Sequence, residues 1–270
     1  MSSYRLIPIA VEKPWGRTGL SAHYEADADR RIGEIWFTTE ADVAQPLLVK
    51  YLFTSEKLSV QVHPDDSQAR AMGLAGGKSE CWYVLDVEGD ARLGIGLGQA
   101  VDAAALRAAA LDGSIEELID WKPVKPGDFY YVPAGTIHAI GGGITLVEVQ
   151  QNNDVTYRLY DYGRPRELHL DAGMAVSRGE SYDRPAQHVS SARATMLVDE
   201  AGAPFTLENL VCGAGETISL GHGPCWFIPL RGHGRIEDQS WEAGECWLIE
   251  DQADIVVTQR LHGLLARPTA

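Results

Sequence analysis

The chain has no run of apolar residues long enough to cross a bilayer, which excludes a helical membrane protein. Its first residues, MSSYRLIPIAVEKPWG, lack the basic start and long apolar middle of a secretory leader, so the cytoplasm is the expected location. The four cysteines, Cys81, Cys212, Cys225 and Cys246, are scattered among apolar or aromatic neighbours and form no CxxC pair. This argues against a thiolate zinc cluster and predicts reduced, buried thiols. Basic residues are in deficit: 23 Lys and Arg stand against 38 Asp and Glu, a formal net charge of -15. Such a charge repels nucleic-acid phosphates and anionic lipid, so neither is an expected partner. An anionic small molecule would need a local cluster of cations, and Lys13, Lys50, Lys78 and Arg158 are the candidates. Taken singly, each is more often a solvated surface charge.

What remains is a globular composition. At 270 residues and 45% hydrophobic, the chain can bury one large core or two small ones. Most of it reads as short β-rich runs. Asp102 to Trp121 is the clear helical patch, with Asp102 as N-cap, a break at Gly113, and Ser114 as the next cap with Glu117 at capping-box spacing. Asp65 to Ser67 is expected to cap a second short helix, Gln68 to Leu74. From Pro165 to Pro204 the pattern loosens into a connection, and from Phe205 onward short alternating strands return. EAGECWLIEDQADIVVT at Glu242 to Thr258 echoes KPGDFYYVPAGTIHAIG at Lys125 to Gly141, which predicts a second, related β unit without the histidine.

The stretch that organises the chain is Ser59 to Glu80, SVQVHPDDSQARAMGLAGGKSE. Alternation along an extended strand sends Ser59, Gln61 and His63 to one face and Val60 and Val62 to the other. Inward polar groups are costly unless paired, and a metal with a polar substrate is an economical partner. Glu80 and His138 are the expected companion ligands. His138 closes GDFYYVPAGTIHAI, which fits the second cupin signature, Gly, five residues, Pro-x-Gly-x-x-His, from Gly127 onward; Gly142 stands where an Asn is common. A lone histidine is more often a hydrogen-bonded core residue; the turn residues and the Gln-x-His pair shift the balance toward a ligand.

Three runs, LLVKYLFTSEKLSVQVHPDD, GKSECWYVL and VPAGTIHAIGGGITLVEVQQNNDVTYRLYDYGR, together resemble the type I mannose-6-phosphate isomerases in their short bacterial form. The resemblance covers most of the first two thirds of the chain. It implies an all-β double cupin with a short helical insert near 102–121: a catalytic barrel over 1–175, a connection over 176–204, and a metal-free barrel over 205–270. It implies one zinc ion per chain, held by Gln61, His63, Glu80 and His138. The implied reaction interconverts mannose 6-phosphate and fructose 6-phosphate through a cis-enediol. Lys78, Glu148 and Arg158 match catalytic positions, and Ser59 and Lys50, with Lys78 and Arg158, match positions that meet the substrate. The KPWG run at Lys13 and Trp15 departs from the Asp-Trp-Gly of longer relatives, and Asp161, Tyr162 and Arg164 read as structural.

The residue types suit that chemistry. Moving a proton between C2 and C1 needs a base, and the enediolate oxygens need a cation. Glu148 is the first choice of base, with a water on the metal as alternative and a buried ion pair as the structural reading. Zinc with Glu80 as its sole anionic ligand keeps a charge near +1 and so polarises oxygens. Arg158 can grip phosphate or enediolate oxygens in a bidentate fork. Three alternatives stay open: another sugar phosphate as substrate, a sugar-phosphate-binding cupin without turnover, and an oxidative iron cupin, which the Gln ligand disfavours. Whether the chain acts as a monomer or a homodimer is undetermined at this level.

Overall fold

The computed structural model describes residues 3–20, 29–39 and 45–269. Among the described residues strand accounts for 49% and helix for 11%, which makes the fold all-β. Among the described residues the strands form three sheets. A seven-stranded antiparallel sheet runs in the order Gln187–His188, Asp128–Val132, Glu80–Val87, Ile144–Gln151, Leu47–Phe53, Ile32–Thr38, Ile7–Arg17. A five-stranded sheet faces it, in the order Tyr157–Tyr160, Val60–Val62, His138–Ile140, Arg92–Leu97, Ile119–Pro123. Alternation decides what lies between them. Trp82, Val84, Leu52 and Leu146 from the large sheet meet Leu93, Ile95 and Ile140 from the small one, while the residues between them in sequence point outward.

Those outward faces are both covered. Val49, Tyr51, Cys81, Tyr83, Val147 and Val149 pack on Phe205, Leu207, Trp226, Ile228, Leu248 and Leu264 of the third sheet, which joins the two halves of the chain through one apolar layer. On the other side, Val60 and Val62 are fully buried under Leu106, Ala109, Ala110 and Ile115 of the helical insert. The third sheet, of eight strands, encloses an apolar interior of its own that includes Phe227, Trp241, Trp247 and Ile255. The strand Ser3–Arg5 pairs there with Trp247–Ile249, so the described start of the chain is stitched into the second half.

The local signals explain most of the helices. Asp65 and Gln68 form a reciprocal capping box at the start of Asp66–Ala71. Asp102 accepts from the Ala105 amide at the start of Ala103–Asp112, and Gly113 ends that helix at φ +89, where a side chain would be strained. Two expectations are corrected here. Ser114 makes no side-chain cap; its hydroxyl turns back to Asp112. The helical patch also stops at Leu118, because Ile119–Pro123 is captured as the edge strand beside Arg92–Leu97. Leu170–Val176 packs with the helical insert, Gln187–His188 pairs with Asp128–Val132, and Thr195–Val198 pairs with Phe205–Cys212.

Candidate metal and substrate site

The site is built from a cross-strand row on the small sheet and one carboxylate on the large sheet. His138 lies opposite Gln61, and Gln61 lies opposite Arg158, so all three start on one face. A register shift follows Arg158, so Tyr160 opposes Val60 and joins the outer layer; the shared face that alternation predicts for Arg158 and Tyr160 is lost at this bulge. Glu80, the first residue of its strand, reaches across from the large sheet. His63 follows its strand, and the Gly135 amide donates to its carbonyl. Gly77 lets the next loop pass close: a Cβ there would sit 2.6 Å from the Asp65 carbonyl carbon. That passage delivers Lys78 to the same point.

The donor atoms converge. The Nδ1 atoms of His63 and His138 lie 2.9 Å from the carbonyls of Val155 and Thr136 respectively, so each Nδ1 carries the proton and each Nε2 lone pair faces inward. His63 Nε2 is 3.4 Å from Glu80 Oε2, and His138 Nε2 is 3.3 Å from Glu80 Oε1. The ligand atoms of His63, Glu80 and His138 all lie within 4.8 Å of one another. Gln61 Nε2 is 3.2 Å from His138 Nε2, and the Gln61 oxygen accepts from Ser59 at 3.3 Å. A half-turn of that amide exchanges its oxygen and nitrogen, so Gln61 can offer either to the centre.

This donor set fits a metal ion. Two inward lone pairs face a fully buried carboxylate whose Oε1 has no hydrogen-bond partner among the described residues, an acceptor set that a metal cation would satisfy. The Lys78 ammonium, also buried, lies among these atoms, 2.8 Å from Glu80 Oε2 and 2.9 Å from His63 Nε2. Burial pushes the Glu80 carboxyl up, but Lys78 beside it and the two imidazoles outweigh that and hold it well below the usual carboxylate range. Lys78 is raised in turn, burial being outweighed by Glu80 and Glu148. Both imidazoles are lowered by burial, His63 to about 3 with Lys78 as the second cause. They are therefore neutral, the state a metal ligand needs.

An acid-stability test follows from those shifts. Unfolded histidine takes up a proton near pH 6.5, whereas His63 in the fold resists until about 3. The contribution is thus fully present above pH 6.5 and is lost as pH falls from there, on the order of a few kcal/mol in total. The metal-free protein should show a falling urea midpoint between pH 7.5 and 5, and His63→Gln should flatten much of that slope. An equal slope in wild type and variant would mean that His63 is charged or exposed. Glu148, whose carboxyl is raised, works in the opposite sense over the lower part of this range.

A second buried group lies on the large sheet. Glu148 stands opposite Lys50 on one side and Trp82 on the other. Its carboxylate accepts from the Trp82 indole at 3.1 Å and pairs with Lys50 at 3.3 Å. Burial first, and the Glu80 charge second, raise its pKa against the pull of Lys50 and Lys78. Lys50 also donates to Gln150 at 2.6 Å and lies 4.7 Å over the Trp36 ring. Trp36 is fixed by its indole bond of 2.6 Å to Glu34, which Lys13 pairs at 3.2 Å.

Of the residues picked from sequence, the structure thus brings together Gln61, His63, Glu80, His138 and Lys78, with Ser59 against Gln61 and Lys50 against Glu148. Arg158 lies next in the row. Its Nη1 donates to the Glu167 carbonyl at 2.7 Å, and its buried Nε has no partner among the described residues. Trp15 is buried in the barrel core, and Asp161 clamps Arg166 and Arg164 outside the donor set. Sequence reasoning did not select Glu34, Trp36 or Gln150. Gln150 shares the alternation face of Glu148 and could have been found; Glu34 and Trp36 carried no motif.

Fold and site together define an all-β cupin with a buried His63, Glu80 and His138 group that could hold a metal ion. No protein-family model matches the chain. The mannose-6-phosphate isomerase ManA of Bacillus subtilis is 36% identical over 208 residues, 63% of this chain and 66% of that protein. The mannose-6-phosphate isomerase of Streptococcus mutans is 44% identical over 137 residues, 48% of this chain and 43% of that protein. The chain thus aligns with between roughly two fifths and two thirds of the curated relatives it matches. The solved mannose 6-phosphate isomerase from Bacillus subtilis superposes with a TM-score of 0.78 at 25% identity, covering 98% of this chain and 99% of that one. A zinc-bound mannose 6-phosphate isomerase shares the fold, with a TM-score of 0.69 at 15% identity over 100% of both chains. The chain belongs to the type I mannose-6-phosphate isomerase family.

Proposed function

We propose that the chain is a zinc-dependent aldose-ketose isomerase that interconverts mannose 6-phosphate and fructose 6-phosphate through a cis-enediol. The observation that carries this reading is the pairing of two buried features in one barrel of a family member: a neutral imidazole pair around Glu80, and an acid with a raised pKa, Glu148. Gln61, His63, Glu80 and His138 would hold the zinc, one ion per chain. Zinc, when bound, supplies a Lewis acid for the sugar oxygens.

The remaining steps belong to the chain's own residues. Glu148, ionised and positioned by Lys50 and Trp82, takes the proton from C2 of the open-chain aldose and returns it to C1. Electrons move from the C2–H bond into C1=C2, and the carbonyl oxygen becomes a hydroxyl as the C2 hydroxyl gives up its proton. Lys78 and Arg158 provide positive charge for the enediolate and the phosphate, and Lys50 and Ser59 add hydroxyl or phosphate contacts. A net charge of -15 leaves this cationic set as the draw for an anionic substrate.

The domain reading accompanies the functional one: a catalytic barrel over 1–175, a connection over 176–204 and a metal-free barrel over 205–270. The apolar interior of the third sheet supports it. No helix of the described residues is long and apolar enough to cross a membrane. Four free, buried thiols support a reducing compartment, the cytoplasm.

The test is coupled turnover of mannose 6-phosphate on protein stripped by chelator and refilled with zinc. Activity that vanishes with the chelator and returns with zinc is the expected result. A zinc-loaded protein inert toward mannose 6-phosphate, but active on another hexose or pentose phosphate, would change the substrate; inert toward all, it would be a binder.

A further inference from the structure

A cleft of about 600 Å³ opens between the two barrels, remote in character from the metal site and lined by none of its residues. Tyr51, Tyr83 and Val84 form one wall; Arg231, Gly244 and His262 form the other. Three of its polar groups, Tyr83, Arg231 and His262, keep hydrogen-bonding capacity for a ligand. Tyr83 is 6% exposed, and its hydroxyl makes no hydrogen bond among the described residues and is left open to the cleft. Arg231 has neither hydrogen bond nor acidic partner among the described residues, in a chain with 38 acidic side chains. His262, also 6% exposed, is opposite Arg231 in the strand pairing.

The His262 tautomer follows from its neighbours. The Asn209 amide nitrogen donates to the carbonyls of Ser190 and Arg193 at 3.1 and 2.8 Å, so its oxygen must accept from His262 Nε2 at 2.8 Å. Burial, with Arg231 and Arg260 nearby, lowers the His262 pKa, so Nδ1 is left as a bare acceptor. The cleft therefore offers a guanidinium, a phenolic hydroxyl and a neutral acceptor over apolar walls. His188 at its edge is held by Asp128 at 2.9 Å and adds no free charge. A guanidinium without a counter-ion calls for an anion, while a hydroxyl and an acceptor nitrogen call for alcohol groups. The volume is in the range of small-molecule sites.

We infer that the inter-barrel cleft is a second ligand site, separate from the metal centre, for a small hydroxylated phosphate ester, with Arg231 on the phosphate and Tyr83 and His262 on hydroxyls. Its position gives binding a route to the first site. The strand Leu47–Phe53 presents Tyr51 to the cleft and Lys50 to the other face; the strand Glu80–Val87 presents Tyr83 to the cleft and Trp82 to the other. Lys50 and Trp82 are the two groups that hold Glu148.

The experiment counts sites. Isothermal titration of the zinc-loaded protein with glucitol 6-phosphate, which has hydroxyls and phosphate but no carbonyl to isomerise, is compared with Arg231→Ala. Because Arg231 is exposed and unpaired, its loss should leave folding intact, checked by the thermal midpoint, and leave turnover without added ligand unchanged. The expected result is binding with two sites in wild type, of which Arg231→Ala loses one by at least about tenfold in affinity. Tyr83→Phe should weaken that same site less. Inorganic phosphate alone, displaced by the ester, would separate anion capture from recognition of the whole molecule. A titration in which no site is weakened by Arg231→Ala overturns the inference. This outcome is independent of which sugar phosphate the metal centre turns over.

Discussion

Replacing Glu80 by alanine is expected to strip the chain of zinc and to abolish turnover in the same step. Glu80 is the sole anion in the proposed ligand set, since both imidazoles and the Gln61 amide are neutral. Without it a dication would sit in a buried pocket with no opposing charge, beside a Lys78 ammonium that has lost its partner at 2.8 Å. Removing one member of such a buried pair typically costs about 3–5 kcal/mol, so some loss of thermal stability should accompany the loss of metal. Glu80→Gln keeps the shape and separates the two effects: it should stay folded while zinc affinity falls by more than about 100-fold, the upper scale of an outer-shell change. Zinc per chain by atomic emission and turnover on mannose 6-phosphate are the paired readouts. A zinc-replete, fully active Glu80→Ala protein would remove Glu80 from the ligand set.

Glu148→Gln should keep its zinc and lose turnover by about 10²- to 10⁴-fold, the range a positioned general base contributes. The substitution preserves size and can still accept from the Trp82 indole, so binding of the metal should not change. The pH profile adds a check that a merely structural role would not pass. A base must be ionised to act, and burial together with the Glu80 charge raises the Glu148 carboxyl. Activity should therefore fall as pH drops through a value above the ordinary carboxylate range, near 4.3. Lys50 holds that value down, so Lys50→Gln should move the acid limb of kcat/KM to higher pH. Near-normal turnover in zinc-loaded Glu148→Gln would take the base away from Glu148.

Much of this site could be read from the chain because its residues sit on short alternating segments. Gln61 and His63 flank Val62, and the period of a strand alone puts them on the face opposite the valines. The same rule puts Glu80, Trp82 and Val84 on one face of their strand, and Glu148 with Gln150 on one face of theirs. It failed at Arg158 and Tyr160, where a bulge adds a residue and sends Tyr160 to the other face. Capping chemistry likewise marked Asp65 and Asp102 correctly. It misjudged Ser114, whose hydroxyl found Asp112 first, and the end of that helical patch, where a neighbouring strand offered better hydrogen bonds than another helical turn.

By itself, then, the sequence determined the β-rich character of the chain, the short helices at Asp65 and Asp102, and the alternation that puts Gln61 and His63 on one face, because each depends on interactions within a few residues. Only the tertiary structure decided what depends on the meeting of distant strands. It set Glu148 between Lys50 and Trp82, built the Glu34 and Trp36 support behind Lys50, paired Ser3–Arg5 with the second barrel, and left Tyr83, Arg231 and His262 facing one cleft. The register between two strands is fixed by the packing of whole sheets, and no local pattern in either strand carries it.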